Sequence, residues 1–270
     1  MNRIIPSFTL AIAFIALFLA VHLLVTYIVA LFSLEQDINI ALVYTISMVM
    51  VYALLTLYER IRYKELQPIE KRAAGFDPLA VLIGVIFIMA SSFALLPLNQ
   101  MFPQDVDVYG KGVFTLLTIV VIAPILEELI FRGRLYNLFG KNISPLASAL
   151  CTSLIFGVVH FEPVVILGAA LIGFMLSCLY LYKRSIITPI ILYMCNNALA
   201  YALNLLSYAD KSLTDYISTE GYVVVVIYGL CCIITIVSLV FMIRYFRKEA
   251  RLQAEKKEDS NQIDEVIYEF

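Results

Sequence analysis

Glu127 and Glu128 stand side by side, with Arg132 four residues beyond the second, in the run VFTLLTIVVIAPILEELIFRGR, which otherwise reads as a membrane-spanning helix. An ionisable side chain inside a bilayer costs roughly 2.5–3.5 kcal/mol on insertion scales, so such groups are usually paired and usually functional. Two further polar clusters follow in apolar surroundings: Phe156-Gly157-Val158-Val159-His160 and Tyr193-Met194-Cys195-Asn196-Asn197. A carboxylate near an imidazole can activate a water. A side-chain amide can hold a developing oxyanion. A file of carboxylates can instead relay protons or ions across a membrane. Residue types alone leave these chemistries open.

The elements that must position these groups are apolar helices. The chain has 270 residues, 62% of them hydrophobic and only 15% charged, and its mean hydropathy is +0.91. Such a balance excludes an ordinary soluble domain and implies an all-α, polytopic membrane bundle. Windows of about 20 apolar residues predict eight spans near 6–33, 39–58, 79–102, 113–138, 145–161, 163–182, 187–207 and 221–244. The first reads as a retained helix, because Leu34-Glu35-Gln36-Asp37 follows it where a signal peptide would have a small-residue cleavage site. With a cytoplasmic N-terminus, every one of the 19 basic residues except Lys111 and Lys211 falls in inside segments, which places both ends in the cytoplasm. No internal repeat of the inverted-transporter kind is present. One membrane domain, 1–250, is expected, with a polar cytoplasmic tail at 251–270 that is a frayed helix or disordered. The five cysteines lie in apolar runs as small hydrophobes, and no basic block suggests a nucleic-acid partner.

Helix length decides whether the polar clusters can meet. The apolar stretch LYNLFG carries the fourth span to about Leu138, with Gly140 as its C-cap. At 1.5 Å per residue Glu127 is then ~16 Å above the inner boundary, His160 ~21 Å and Asn197 ~15 Å above their own helix starts. Tilts of about 20° absorb the difference, so the three groups are expected to share a cavity open to the cytoplasm. Pro124 should kink the fourth helix and free backbone carbonyls near the carboxylates. Ala169, Gly173 and Ser177 form a small-residue stripe that allows close helix approach.

EELIFR, FGVVH about 30 residues on, and an Asn-bearing helix after a Gly-containing one together resemble the CPBP (CAAX protease and bacteriocin-processing, or Abi) family of intramembrane proteases. The resemblance covers about residues 113–205. It implies an eight-helix bundle and a hydrolase acting on a membrane-associated peptide or protein in a cell membrane, most often the bacterial plasma membrane. Glu127 corresponds to the family's catalytic glutamate and His160 to the histidine that helps it activate water. Glu128 and Arg132 fill the remaining positions of the first motif, with Arg132 as counter-charge to a carboxylate, Glu127 in particular. Asn197 corresponds to the residue that holds the oxyanion with a third-motif histidine.

Tyr193 stands where that third-motif histidine is expected. A phenol can still donate to an oxyanion beside an amide, but it does not supply a neutral imidazole for zinc. The metal implied by the resemblance would fall to Glu127 and His160, because the other histidine, His22, lies outside every motif. Three readings follow: an intramembrane (metallo)endopeptidase, an inactive family member serving as scaffold or bacteriocin-immunity protein, and an ion-coupled transporter. Asn196 reads as interhelical glue.

Overall fold

A computed structural model describes residues 4–64, 66, 76–99, 101, 112–205, 218 and 221–268, and among these the chain is helical with no strand. Most of the outside loops expected at 103–112 and 207–221 lies outside the described residues, as do Lys71, Arg72, Lys111 and Lys211. The long helices are α1 (Ile4–Ala30), α2 (Gln36–Tyr63), α3 (Pro78–Ala94), α4 (Val113–Gly140), α5 (Pro145–Val158), α6 (Pro163–Lys183), α7 (Ile187–Leu205) and α8 (Tyr222–Tyr268). Five of them, α1, α2, α4, α6 and α8, are long and apolar enough to cross a membrane; α3, α5 and α7 are apolar but shorter.

Local chemistry sets the boundaries. Asp77 caps α3 by accepting from Ala80 N at 3.0 Å, and Pro78 fills the first turn. Ser144 and Pro145 do the same for α5, with Ser144 Oγ 3.3 Å from Ala147 N. The third span was expected to reach 102, yet α3 stops at Ala94 and a single turn, Leu96–Asn99, follows. Pro97 has no N–H to donate back, so the regular ladder breaks there. The fifth span also ends early, at Val158, leaving His160 in the turn beyond it. Gly140 proves to be the last helical residue of α4 rather than a left-handed cap.

Helix α4 is not a uniform α-helix. Thr118–Ile122 and Phe131–Leu135 are π-helical, on either side of the α-helical Ala123–Ile130 that carries the two glutamates. Pro124 accounts for part of this. In the first π-turn Ala123 N–H bonds Thr118 O; the next bond in that series would need an N–H from residue 124, which proline lacks. The Ile119 carbonyl is left open, and Asn197 Nδ2 on α7 donates to it at 2.8 Å. Asn137 Nδ2 serves the second π-turn, reaching Gly133 O at 3.2 Å and Arg132 O at 3.4 Å.

The core lies around α4. Phe131 packs edge-on against Phe14 of α1 (5.6 Å) and Phe156 of α5 (4.9 Å). Helices α5 and α6 pack along each other, α1 lies against α2, and α3 contacts α7 and α8. Close approach of α5 and α6 depends on small residues. A Cβ on Gly157 would run into the Ile166 carbonyl, and one on Gly173 would sit 3.1 Å from Phe156 and 3.3 Å from Arg132. Helix α8 continues to Tyr268, ~70 Å at 1.5 Å per residue, against a hydrocarbon core of about 30 Å.

Candidate active site

The two adjacent glutamates take different partners because successive helical positions differ by about 100°. Glu128 faces Arg132, one turn away, with Nη1 2.5 Å from Oε1; both side chains are fully buried. Arg132 Nη2 donates to the Gly173 carbonyl of α6 at 2.6 Å, and the guanidinium lies 4.9 Å over the Phe156 ring. This corrects the expectation that Arg132 neutralises Glu127: the i+4 carboxylate faces it and the i+5 carboxylate does not. Arg134, counted with the cytoplasmic charges, is likewise buried in α4 and paired with Glu59 of α2 at 3.1 Å. Lys141 completes that cluster, 3.8 Å from Glu59.

Glu127, 5% exposed, meets no cation among the described residues. Its partners are two phenols from different helices. Tyr193 of α7 donates to Oε2 at 2.7 Å, and Tyr44 of α2 donates to Oε1. A buried carboxylate needs such donors to replace lost water. Each carboxylate oxygen can accept twice, so one acceptor position on each oxygen stays open after both phenols bind.

Asn197 stands one turn beyond Tyr193 on α7, in reach of its hydroxyl. One amide hydrogen of Asn197 goes to Ile119 O, and Oδ1 accepts from Asn196 Nδ2 at 2.9 Å. Asn196 therefore orients its neighbour instead of bridging helices. The second amide hydrogen of Asn197 faces the Tyr193 oxygen. Tyr193 has only one hydroxyl hydrogen and spends it on Glu127, so the expected oxyanion donor is instead a carboxylate holder.

His160 joins this group through Phe156. Its Nδ1 lies 2.6 Å from Phe156 O; a carbonyl only accepts, which assigns the proton to Nδ1 and leaves Nε2 as the acceptor in the neutral ring. The imidazole packs against the Phe156 ring at 5.0 Å, and the same ring contacts Tyr193 at 5.7 Å. Phe156 thus supports Arg132, His160 and Tyr193 together, which explains the value of a Phe four residues before the His. Among the described residues no hydrogen bond joins His160 to Glu127 or Asn197. His22 stacks on Phe18 at 6.3 Å.

The donor set does not fit the zinc implied by the resemblance. A catalytic zinc takes three protein ligands, and among the described residues no three His, Cys, Asp or Glu side chains converge. Both oxygens of Glu127 already accept phenols, and Tyr193 holds the place of the further imidazole. All five cysteines are free.

Tyr44 was missed by motif reasoning because it lies about 80 residues before Glu127. A signal was nonetheless present. Asp37, Tyr44, Tyr52 and Glu59 recur every seven or eight residues, an arc of about 80° on one face of an apolar helix at 3.6 residues per turn.

Comparison with known families agrees with the motifs. Residues 109–199 match the family model described as type II CAAX prenyl endopeptidase Rce1-like, a family of proteases and the one these motifs resemble. No curated protein and no solved structure matches the chain.

Proposed function

We propose that this chain is an intramembrane endopeptidase that hydrolyses a peptide bond of a membrane-associated peptide or protein. In this reading α3, α5 and α7 join the five longer helices as an eight-span bundle in a cell membrane, a bacterial plasma membrane in the first instance, with both termini cytoplasmic. The observation that carries it is the state of Glu127: a buried carboxylate that meets no cation among the described residues, oriented by two phenols, with an open acceptor position on each oxygen. Glu128, by contrast, is committed to Arg132.

Glu127 takes a proton from a water held between its carboxylate and His160 Nε2, and the resulting hydroxide attacks the scissile carbonyl. The amide hydrogen of Asn197 that faces the Tyr193 oxygen turns to the oxyanion as it forms. The proton on Glu127 then passes to the leaving amine, which restores the carboxylate. Arg132 acts by fixing Glu128, Gly173 and Phe156, and so the helices around the site. Burial of Glu127 and Tyr193, beside the half-buried His160 and Asn197, strengthens these interactions.

The test is cleavage of internally quenched, membrane-anchored peptides by protein reconstituted in liposomes. Glu127→Ala and His160→Ala are expected to abolish cleavage with expression and thermal unfolding unchanged. Wild-type rates in Glu127→Ala would overturn the reading, and no cleavage by the wild type would leave a scaffold or immunity role. Ion-dependent flux abolished by the same variant would point to a transporter.

A further inference from the structure

Helix α2 lies wholly outside the family-matched segment, 109–199, yet it accompanies α4 from end to end through one polar stripe. Asp37 Oδ1 accepts from Thr115 N at 2.7 Å and Thr115 Oγ1 at 2.6 Å, and Oδ2 from Phe114 N at 3.1 Å. It therefore supplies, from another helix, the cap that the first turn of α4 needs. A Cβ on Gly112 would overlap the Asp37 carboxylate, so the glycine permits this approach. Two turns further along α2, Tyr44 reaches Glu127. Near the inner end, Tyr52 Oη and Glu59 Oε2 both contact Arg134, at 3.3 and 3.1 Å. The two helices run in the same direction, and their register is fixed above and below the one contact that touches the candidate base.

We infer that Tyr44 is a positioning residue of the active site, holding Glu127 Oε1 while Tyr193 holds Oε2. The inference rests on the reading of Glu127 as the base. Rotation of a carboxylate about its last side-chain bond is broad and nearly unrestrained, so a single donor leaves its plane free to turn. Donors from two different helices, one on each oxygen, fix that plane and point the remaining acceptor positions at a set place. Without the Tyr44 hydroxyl, Oε1 has no partner among the described residues. Misplacement of a reacting group by about 1 Å can cost on the order of 100-fold.

The experiment uses full-length protein in liposomes with two independent readouts. The first is steady-state cleavage of an internally quenched membrane-anchored peptide. Tyr44→Phe is expected to lower kcat at least about 10-fold with KM within about 2-fold, whereas Tyr52→Phe, on the same face of α2 but contacting Arg134, leaves both near wild type. A merely structural role would move thermal unfolding and KM, or affect both tyrosines alike. The second is the carboxyl 13C resonance of Glu127, assigned by its loss in Glu127→Gln. It is expected to shift in Tyr44→Phe and in Tyr193→Phe, whether or not the protein cleaves the peptide. An unmoved resonance in Tyr44→Phe, or unchanged kcat, overturns the inference. A shifted resonance in Tyr44→Phe together with no cleavage by the wild type overturns the protease reading instead, and with it the catalytic purpose of the contact.

Discussion

Tyr193 donates its hydroxyl to Glu127 Oε2 at 2.7 Å from α7, at the position where the family pattern has a histidine. The substitution therefore has a definite structural use, as a neutral donor to the buried carboxylate. Tyr193→Phe removes that donor while keeping the ring contact with Phe156 at 5.7 Å. Turnover is expected to fall by about 10- to 100-fold, the scale of misplacing a reacting group by about 1 Å. Peptide cleavage in liposomes checks it; an unchanged rate would assign the tyrosine to packing.

Removing one partner of a buried ion pair strands the other. Arg132→Ala is expected to destabilise the bundle by about 3–5 kcal/mol, because Glu128 and the Gly173 carbonyl both lose their donor. Replacing the pair together, Glu128→Gln with Arg132→Met, should recover much of that loss. Thermal unfolding in detergent of the single and double variants measures the difference.

The α5–α6 contact gives a steric test. Gly173→Ala places a Cβ 3.1 Å from Phe156 and 3.3 Å from both Arg132 Nη2 and Ser153 Cα. Overpacking of this kind costs about 1–3 kcal/mol, and here it also displaces the guanidinium from beside Glu128. Lower thermal stability with reduced cleavage is expected.

Pro124→Ala restores the N–H that the Ile119 carbonyl lacks. The backbone bond then competes with Asn197, whose amide now donates there at 2.8 Å. The variant should be at least as stable as wild type yet cleave more slowly, since Asn197 loses its anchor. A variant both stable and fully active would separate Asn197's orientation from catalysis.

Ahead of α3, Asp77 lies 2.6 Å from Lys183 at the end of α6. This contact, with the Ala80 N–H, holds the Asp77 carboxyl below its ordinary value of 3.8. A carboxylate depressed on folding contributes stability that is complete above the unfolded value and is lost as pH falls through the folded one. Unfolding midpoints of wild type and Asp77→Asn should therefore converge below about pH 4 and separate at neutral pH, with only a modest gap for so exposed a pair.

The sequence made the helices and the carboxylate cluster legible for physical reasons. Hydrocarbon rejects charge, so Glu127, Glu128 and Arg132 stand out in an apolar run, and Phe156 and His160 follow at one-turn spacing. The partner choice was less legible. Both i+4 and i+5 carboxylates are near Arg132 along the chain, and only side-chain direction selects Glu128. The π-turns around Ala123–Ile130 could not be read from periodicity, although Pro124 hinted at irregular backbone. Tyr44 was hidden because sequence motifs join near neighbours, whereas packing joined helices far apart in the chain.

The most direct test compares wild type with Glu127→Gln, an isosteric change that keeps acceptor capacity on one atom but removes the base. Both proteins, reconstituted at equal density, are assayed on the same membrane-anchored quenched peptides. Cleavage by wild type and a loss of at least about 100-fold in Glu127→Gln, with equal thermal unfolding, is the expected result. Equal cleavage by the two proteins would contradict the account at its centre.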